Sequence, residues 1–170
     1  MKITTVFVTH DQEEALELAD RIAITNKGQI EQIGTPEQVY DNPASPFVYN
    51  FLGNVNLFHG RVQDGRLKVG DVAVGEADAA GATAQRGVAY VRPHDVEVAR
   101  EGNGDSILAR VDHISFAGPF VQVQLTRADN QEAIEAALSR ERYRELGLKA
   151  GEPVHLRFRN ARVFTEDYSI

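Results

Sequence analysis

The sequence predicts a mainly β protein entered through a short α/β segment. From residue 54 onward, apolar side chains recur with period two in short runs separated by glycine-containing turns, the pattern of half-buried strands. The first 53 residues instead alternate strand-like and helix-like stretches with clear start and stop signals. The 170 residues are 42% hydrophobic and 25% charged, a globular rather than a disordered composition.

Taken in order, residues 4–8 (TTVFV) are β-branched and aromatic, as in a buried strand. Asp11 and Glu14 fit a capping box opening a helix, with Ala15, Leu18, Ala19 and Ile22 at the i, i+3, i+4, i+7 spacing of one apolar face. Residues 22–25 read as a strand, 26–28 as a turn able to take positive φ, and 29–33 as its hairpin partner. Thr35-Pro36-Glu37-Gln38 starts a second helix, which Asn42-Pro43 ends. Ser45-Pro46 starts a third, carrying Phe47, Val48, Phe51 and Leu52 up to Gly53. Elements this short bury little core, so residues 1–53 are expected to be the tail of a larger α/β domain, and the strand at Thr4 leads us to expect that the chain begins inside it. Apolar surface left over there, Phe47 and Phe51 included, predicts self-association or partial disorder of this segment.

Strands are predicted at 57–62, 66–69, 72–74, 88–91, 96–99, 107–116, 120–126 and 154–158, with turns at 63–65, 70–71 and 117–119. Residues 77–84 are a loop of small residues. One helix, 140–146, follows a Ser139 cap. Many short strands and one helix make residues 54–170 a small closed or sandwiched β domain, with an OB-like barrel as the leading candidate.

No apolar run approaches the roughly 20 residues of a membrane-spanning helix, and Met1-Lys2-Ile3-Thr4-Thr5 lacks the long apolar core expected of a secretory signal. The absence of cysteine fits a cytoplasmic setting. A formal charge of −7 lacks the basic footprint of a nucleic-acid binder, and no aromatics cluster among the basic residues.

Val6-Phe7-Val8-Thr9-His10-Asp11-Gln12-Glu13-Glu14-Ala15-Leu16 resembles the switch-histidine loop of ABC-transporter ATPases. The likeness runs colinearly through Ala19-Asp20-Arg21-Ile22, Gly28-Gln29-Ile30 and Gly34-Thr35-Pro36-Glu37-Gln38-Val39-Tyr40 to Pro43-Ala44-Ser45-Pro46-Phe47-Val48. Asn56-Leu57-Phe58-His59-Gly60 and Val91-Arg92-Pro93-His94-Asp95-Val96-Glu97 look like the TOBE (transport-associated OB) accessory domain of sulfate/thiosulfate importer ATPases. The resemblance implies that 1–53 is the C-terminal remnant of an ABC ATPase domain and 54–170 a TOBE regulatory domain. It further implies a parent subunit that hydrolyses ATP with Mg²⁺, pairs with a second copy as a homodimer, and drives a membrane permease from the cytoplasmic face. His10 would be its switch histidine. On physical grounds, a histidine at the C-terminal end of a strand sits where open α/β sheets bind ligands, and can donate to a γ-phosphate.

What the sequence lacks limits the activity. Nothing fits G-x-x-x-x-G-K-[ST], the loop that holds the β- and γ-phosphates, nor the acidic strand end or the Ser-Gly-Gly signature of such sites. The chain alone is expected neither to bind MgATP tightly nor to turn it over. Arg92, His94 and Arg157 are candidate anion-binding residues, because a guanidinium fork suits tetrahedral oxyanions. The alternative for Arg92-Pro93 is a strand edge with its polar residues facing solvent. In the last predicted strand, His155, Arg157 and Arg159 alternate with Val154, Leu156 and Phe158, and Arg162 extends the polar face. The histidines show no ligand spacing, so no metal site is expected. A free-standing module for an oxyanion such as sulfate or molybdate is the competing function, and an OB-type nucleic-acid binder a third.

Overall fold

The computed structural model describes residues 4–77 and 85–165, so most of the small-residue loop at 77–84 lies outside the described residues. The chain divides into two compact units between Gly53 and Asn54.

In the first unit, helix α1 (Gln12–Leu18) begins where Asp11 Oδ1 accepts the Glu14 N–H at 3.1 Å. The reciprocal half of the capping box is rerouted. Thr9 Oγ1 accepts the Asp11 N–H and donates to the Glu14 carboxylate, each at 3.0 Å. Ala15, Leu16 and Ala19 turn toward the small core, whereas Leu18 is 72% exposed and Ile22 belongs to the next strand. Ala15 and Ala19 thus keep their expected side, Leu16 takes the place expected of Leu18, and the helix ends before Ile22.

Strands β1 (Ile22–Asn26) and β2 (Gln29–Gly34) form an antiparallel hairpin. Its turn places Lys27 at φ 48° and Gly28 at φ 79°, the left-handed pair that a two-residue loop between twisted strands requires. Helix α2 (Pro36–Asp41) carries a complete capping box: Gln38 N–H to Thr35 Oγ1 at 3.2 Å, Thr35 N–H to Gln38 Oε1 at 3.0 Å. Helix α3 (Pro46–Phe51) is capped by Ser45 and stacks Phe47 on Phe51 at 5.8 Å. Its Val48 and Leu52 join Ile22, Ile24 and Val39 in the core.

The strand predicted at 4–8 does not form: these residues join no strand and are exposed, with Val6 at 88% and Val8 at 90%. β-Branched composition suits a pleated, buried surface but cannot supply one. The β1–β2 hairpin is complete without residues 4–8.

The described residues of the second unit form ten strands. β3 (Asn56–Gln63), β4 (Arg66–Val69), β5 (Val72–Glu76) and β6 (Arg86–Val91) are followed by a 3₁₀ turn, Pro93–Asp95. β7 (Val96–Ala99), β8 (Ile107–Ala117), β9 (Phe120–Arg127) and β10 (Ala133–Ser139) come next, then helix α4 (Arg140–Leu146), β11 (Pro153–Phe158) and β12 (Arg162–Thr165). They form two antiparallel five-stranded sheets, ordered β10-β9-β8-β11-β7 and β12-β6-β3-β4-β5. Both curl, and their inner faces share one core that includes Phe58, Val62, Leu67, Val91, Val111, Leu125 and Leu156. The expected mainly β, OB-like architecture is present, elaborated into two sheets.

Strands β3 and β4 approach closely at Gly60, where a Cβ would lie 2.2 Å from the Lys68 carbonyl oxygen. The sheets are stitched by Asn56. Its amide nitrogen donates to the carbonyls of Val91 (3.3 Å) and Glu135 (2.8 Å), and its Oδ1 accepts the Glu135 N–H at 2.8 Å.

Strands β10 and β12 were not expected from the sequence. β10 is rich in Ala, Glu and Leu, residues of modest strand preference, yet Ile134, Ala136 and Leu138 alternate inward. Arg162 does not extend the β11 face. It opens β12, which pairs with β6 in the other sheet, Arg162 opposite Tyr90.

Candidate functional site

His10 is exposed, at the junction between the extended residues 4–9 and the Asp11 cap of α1. Asp11 and Glu14 cap the helix and Glu14 also engages Thr9, so these acidic groups have structural partners.

The three candidate anion residues stand in three settings. Arg92 leads from β6 into the 3₁₀ turn and is 4% exposed, so the solvent-facing reading fails there. His94 is exposed, and its Nε2 lies 3.6 Å from Asp95 Oδ2. The buried Asp95 receives the Asn160 side-chain amide at 2.9 Å, and its carbonyl accepts the Arg159 N–H at 2.9 Å. Arg157 lies on β11, opposite Glu97 of β7. These bonds lace the end of β11 and the residues after it to the 92–97 segment, so the three candidates belong to one corner of the second unit.

Sequence reasoning missed a cluster at the β9–β10 turn. Arg127 is 2% exposed. Its Nε and Nη2 engage Asp129 at 2.9 and 2.5 Å, and its Nη1 engages Glu132 at 2.9 Å. Its guanidinium carbon lies 5.6 Å from the centre of the Phe58 ring. Partial burial pushes the Asp129 carboxyl up, but the Arg127 hydrogen bond and charge, with the N–H groups of Asp129 and Asn130, outweigh it and hold the group below its ordinary value. The signal lay in Val121-x-Val123-x-Leu125-x-Arg127, whose alternation puts the arginine on the buried face with carboxylates two and five residues on. Every donor that the cluster shows faces an internal acceptor, which marks it as a structural clamp.

A second clamp ties α4 down. Arg100 donates from Nε to the Leu146 carbonyl (2.9 Å), from Nη2 to Gly147 (2.8 Å) and pairs through Nη1 with Glu152 (2.9 Å). The Lys149 N–H, opposed by slight desolvation and aided by Arg100, holds the Glu152 carboxyl below its ordinary value.

Comparison with known proteins places this geometry. The profile of the CysA C-terminal regulatory domain matches residues 56–98, and that of a TOBE-like domain matches residues 101–159. The sulfate/thiosulfate import ATP-binding protein CysA of Bacillus cereus is 51% identical over 171 residues, covering 99% of this chain and 48% of that protein. Over nearly its whole length the chain is similar to sulfate/thiosulfate import ATP-binding proteins. The CysA of Nitrosomonas europaea is 53% identical over 167 residues, covering 96% of this chain and 46% of the relative. The chain thus spans about half the length of these import ATP-binding proteins. Among solved structures, the cytoplasmic molybdate-binding protein ModG with molybdate bound aligns with a TM-score of 0.52 at 20% identity, covering 64% of this chain and 94% of that one, a likeness of fold.

His10, in the segment expected to be a switch loop, is exposed, and the sequence contains no G-x-x-x-x-G-K-[ST] string. No helix among the described residues is long and apolar enough to cross a membrane.

Proposed function

We propose that the chain is the regulatory, C-terminal part of an ATP-binding subunit that powers sulfate or thiosulfate uptake. The observation that carries this reading is identity above 50% over nearly the whole chain with import ATP-binding proteins, together with the regulatory-domain match at residues 56–98. In that subunit MgATP supplies the energy, and His10 contacts the γ-phosphate from the end of its loop. Residues 1–53 are the end of the ATPase domain. Residues 54–170 form the TOBE domain, which joins two subunits and tunes their activity. The partners are a second ATP-binding subunit and membrane permease subunits, so the protein works at the cytoplasmic face of the membrane.

By itself the chain does not turn over ATP, since His10 has no phosphate-binding loop to act with. The extent of the match favours the transporter subunit over a free-standing oxyanion module. The test is ATP-dependent sulfate uptake by membrane vesicles holding the permease and the complete subunit. His10→Ala in that subunit is expected to abolish hydrolysis and uptake while the protein stays folded. Unchanged uptake in the His10→Ala subunit would overturn the assignment.

A further inference from the structure

Strand β11 turns Val154 and Leu156 into the core, which leaves His155 and Arg157 on its other face, with Arg159 just past its end. Neighbouring β7 opposes Arg157 with Glu97. Register thus offers Glu97 to Arg157, yet the carboxylate pairs with Arg159 instead. Two guanidinium groups share one carboxylate, and the unmatched charge falls on Arg157.

Arg157 is half-buried, and its Nε is the one buried side-chain nitrogen or oxygen among the described residues without a hydrogen-bond partner. Each such orphan calls for an explanation, an ion or a water being the usual one. His155 does not supply it. Its Nδ1 lies 3.2 Å from Ser106 Oγ, and that hydroxyl donates to the Asn103 carbonyl at 3.0 Å, so His155 points its proton at Ser106. A water would satisfy the N–H but leave the charge. An anion with two adjacent oxygens satisfies both, because Nε–H and one Nη–H form a fork that fits it.

We propose that Arg157 anchors a small tetrahedral oxyanion on the outer face of β11, beside the Arg159–Glu97 pair. The enclosure of Nε favours a small free ion over a carboxylate fixed to a partner protein. The geometry alone carries the site; the choice of sulfate as its occupant rests on the proposed transporter role.

The experiment follows backbone amide shifts and the unfolding midpoint of the full chain during titration with sodium sulfate, with chloride holding ionic strength constant. The expected result is saturable shifts centred on residues 155–159 and 96–98, with the midpoint rising as sites fill. Arg157→Met is expected to remove this response without lowering the sulfate-free midpoint, because an unpaired buried donor is replaced by an apolar chain. Should Arg157→Met fail to fold, Arg157→Lys keeps the charge without the fork and is expected to weaken sulfate about tenfold. Arg159→Met should retain the response. A wild-type chain that responds to none of sulfate, phosphate and molybdate more than to chloride, or an Arg157 variant that responds like wild type, overturns the site. Acetate matching sulfate overturns the tetrahedral class. Molybdate or phosphate saturating Arg157 where sulfate does not would support the site and count against sulfate as its occupant. Uptake by the complete subunit tests the transporter reading separately.

Discussion

The two units differ in how they use apolar residues. In the first, Val6, Phe7, Val8, Leu18, Ile30 and Ile33 remain exposed, and the buried core is Ile22, Ile24, Val39, Val48 and Leu52. In the second, most inward positions of ten strands are buried, and the core runs continuously between two sheets. The second also leaves Leu57, Leu108, Phe116 and Phe120 exposed, but these stand against a far larger buried core, whereas in the first the exposed apolar side chains rival the buried ones. A segment that reads as well-formed in local grammar can therefore still depend on surface from elsewhere, since caps and turns shape an element but burial stabilises it.

The strongest way to sharpen this contrast is to cut the self-sufficient core. Leu125→Ala, at a fully buried site on β9, is expected to cost about 3–5 kcal/mol. Amide exchange should show the loss spread over the second unit, with the first little changed. Next comes Arg127→Ala. It removes a packed stem and a ring contact, but frees two half-exposed carboxylates to water, so the expected cost is about 2–4 kcal/mol by chemical denaturation. The same cluster sets an acid limit. Because the folded Asp129 pKa is depressed, its contribution is present above the ordinary 3.8 and fades as pH falls through the lower folded value. Acid unfolding curves of wild type and Arg127→Ala should converge in that window.

In the first unit, Thr35→Ala removes the hydroxyl that accepts the Gln38 N–H, leaving only the backbone half of the capping box, and is expected to cost about 1 kcal/mol. Amide exchange in 35–41 reads it. Least affected is Phe7→Ser, which should change stability by under about 0.5 kcal/mol while reducing self-association in sedimentation experiments. A large destabilisation by Phe7→Ser would mean that the first unit covers its apolar surface after all.

Much of this fold is legible in sequence because its signals are local. Thr35-Pro36-Glu37-Gln38 and Ser139 open helices where their chemistry says, and Asn26-Lys27-Gly28 turns the hairpin. The errors arise where a neighbour decides. Residues 4–8 have strand composition and nothing to pair with, while Ala133–Ser139 has little strand composition but is held by β9 along its whole length. Arg162 continues the alternation of β11 in sequence, yet positive φ at Asn160 turns the chain away into the other sheet. The candidate site follows the same rule. His10 stands out by its motif and Arg157 by its period-two strand, but that Glu97 chooses Arg159 over its register partner is a property of three dimensions only.

The Asn56 seam has a kinetic consequence. One side-chain amide joins the two sheets through a residue 79 positions away, a loop whose closure must precede any return from the bond. The seam should therefore be sealed after the barrier is crossed. Loss of the amide would then leave the folding rate almost untouched and hasten unfolding, shortening the lifetime of the joined sheets rather than slowing their assembly.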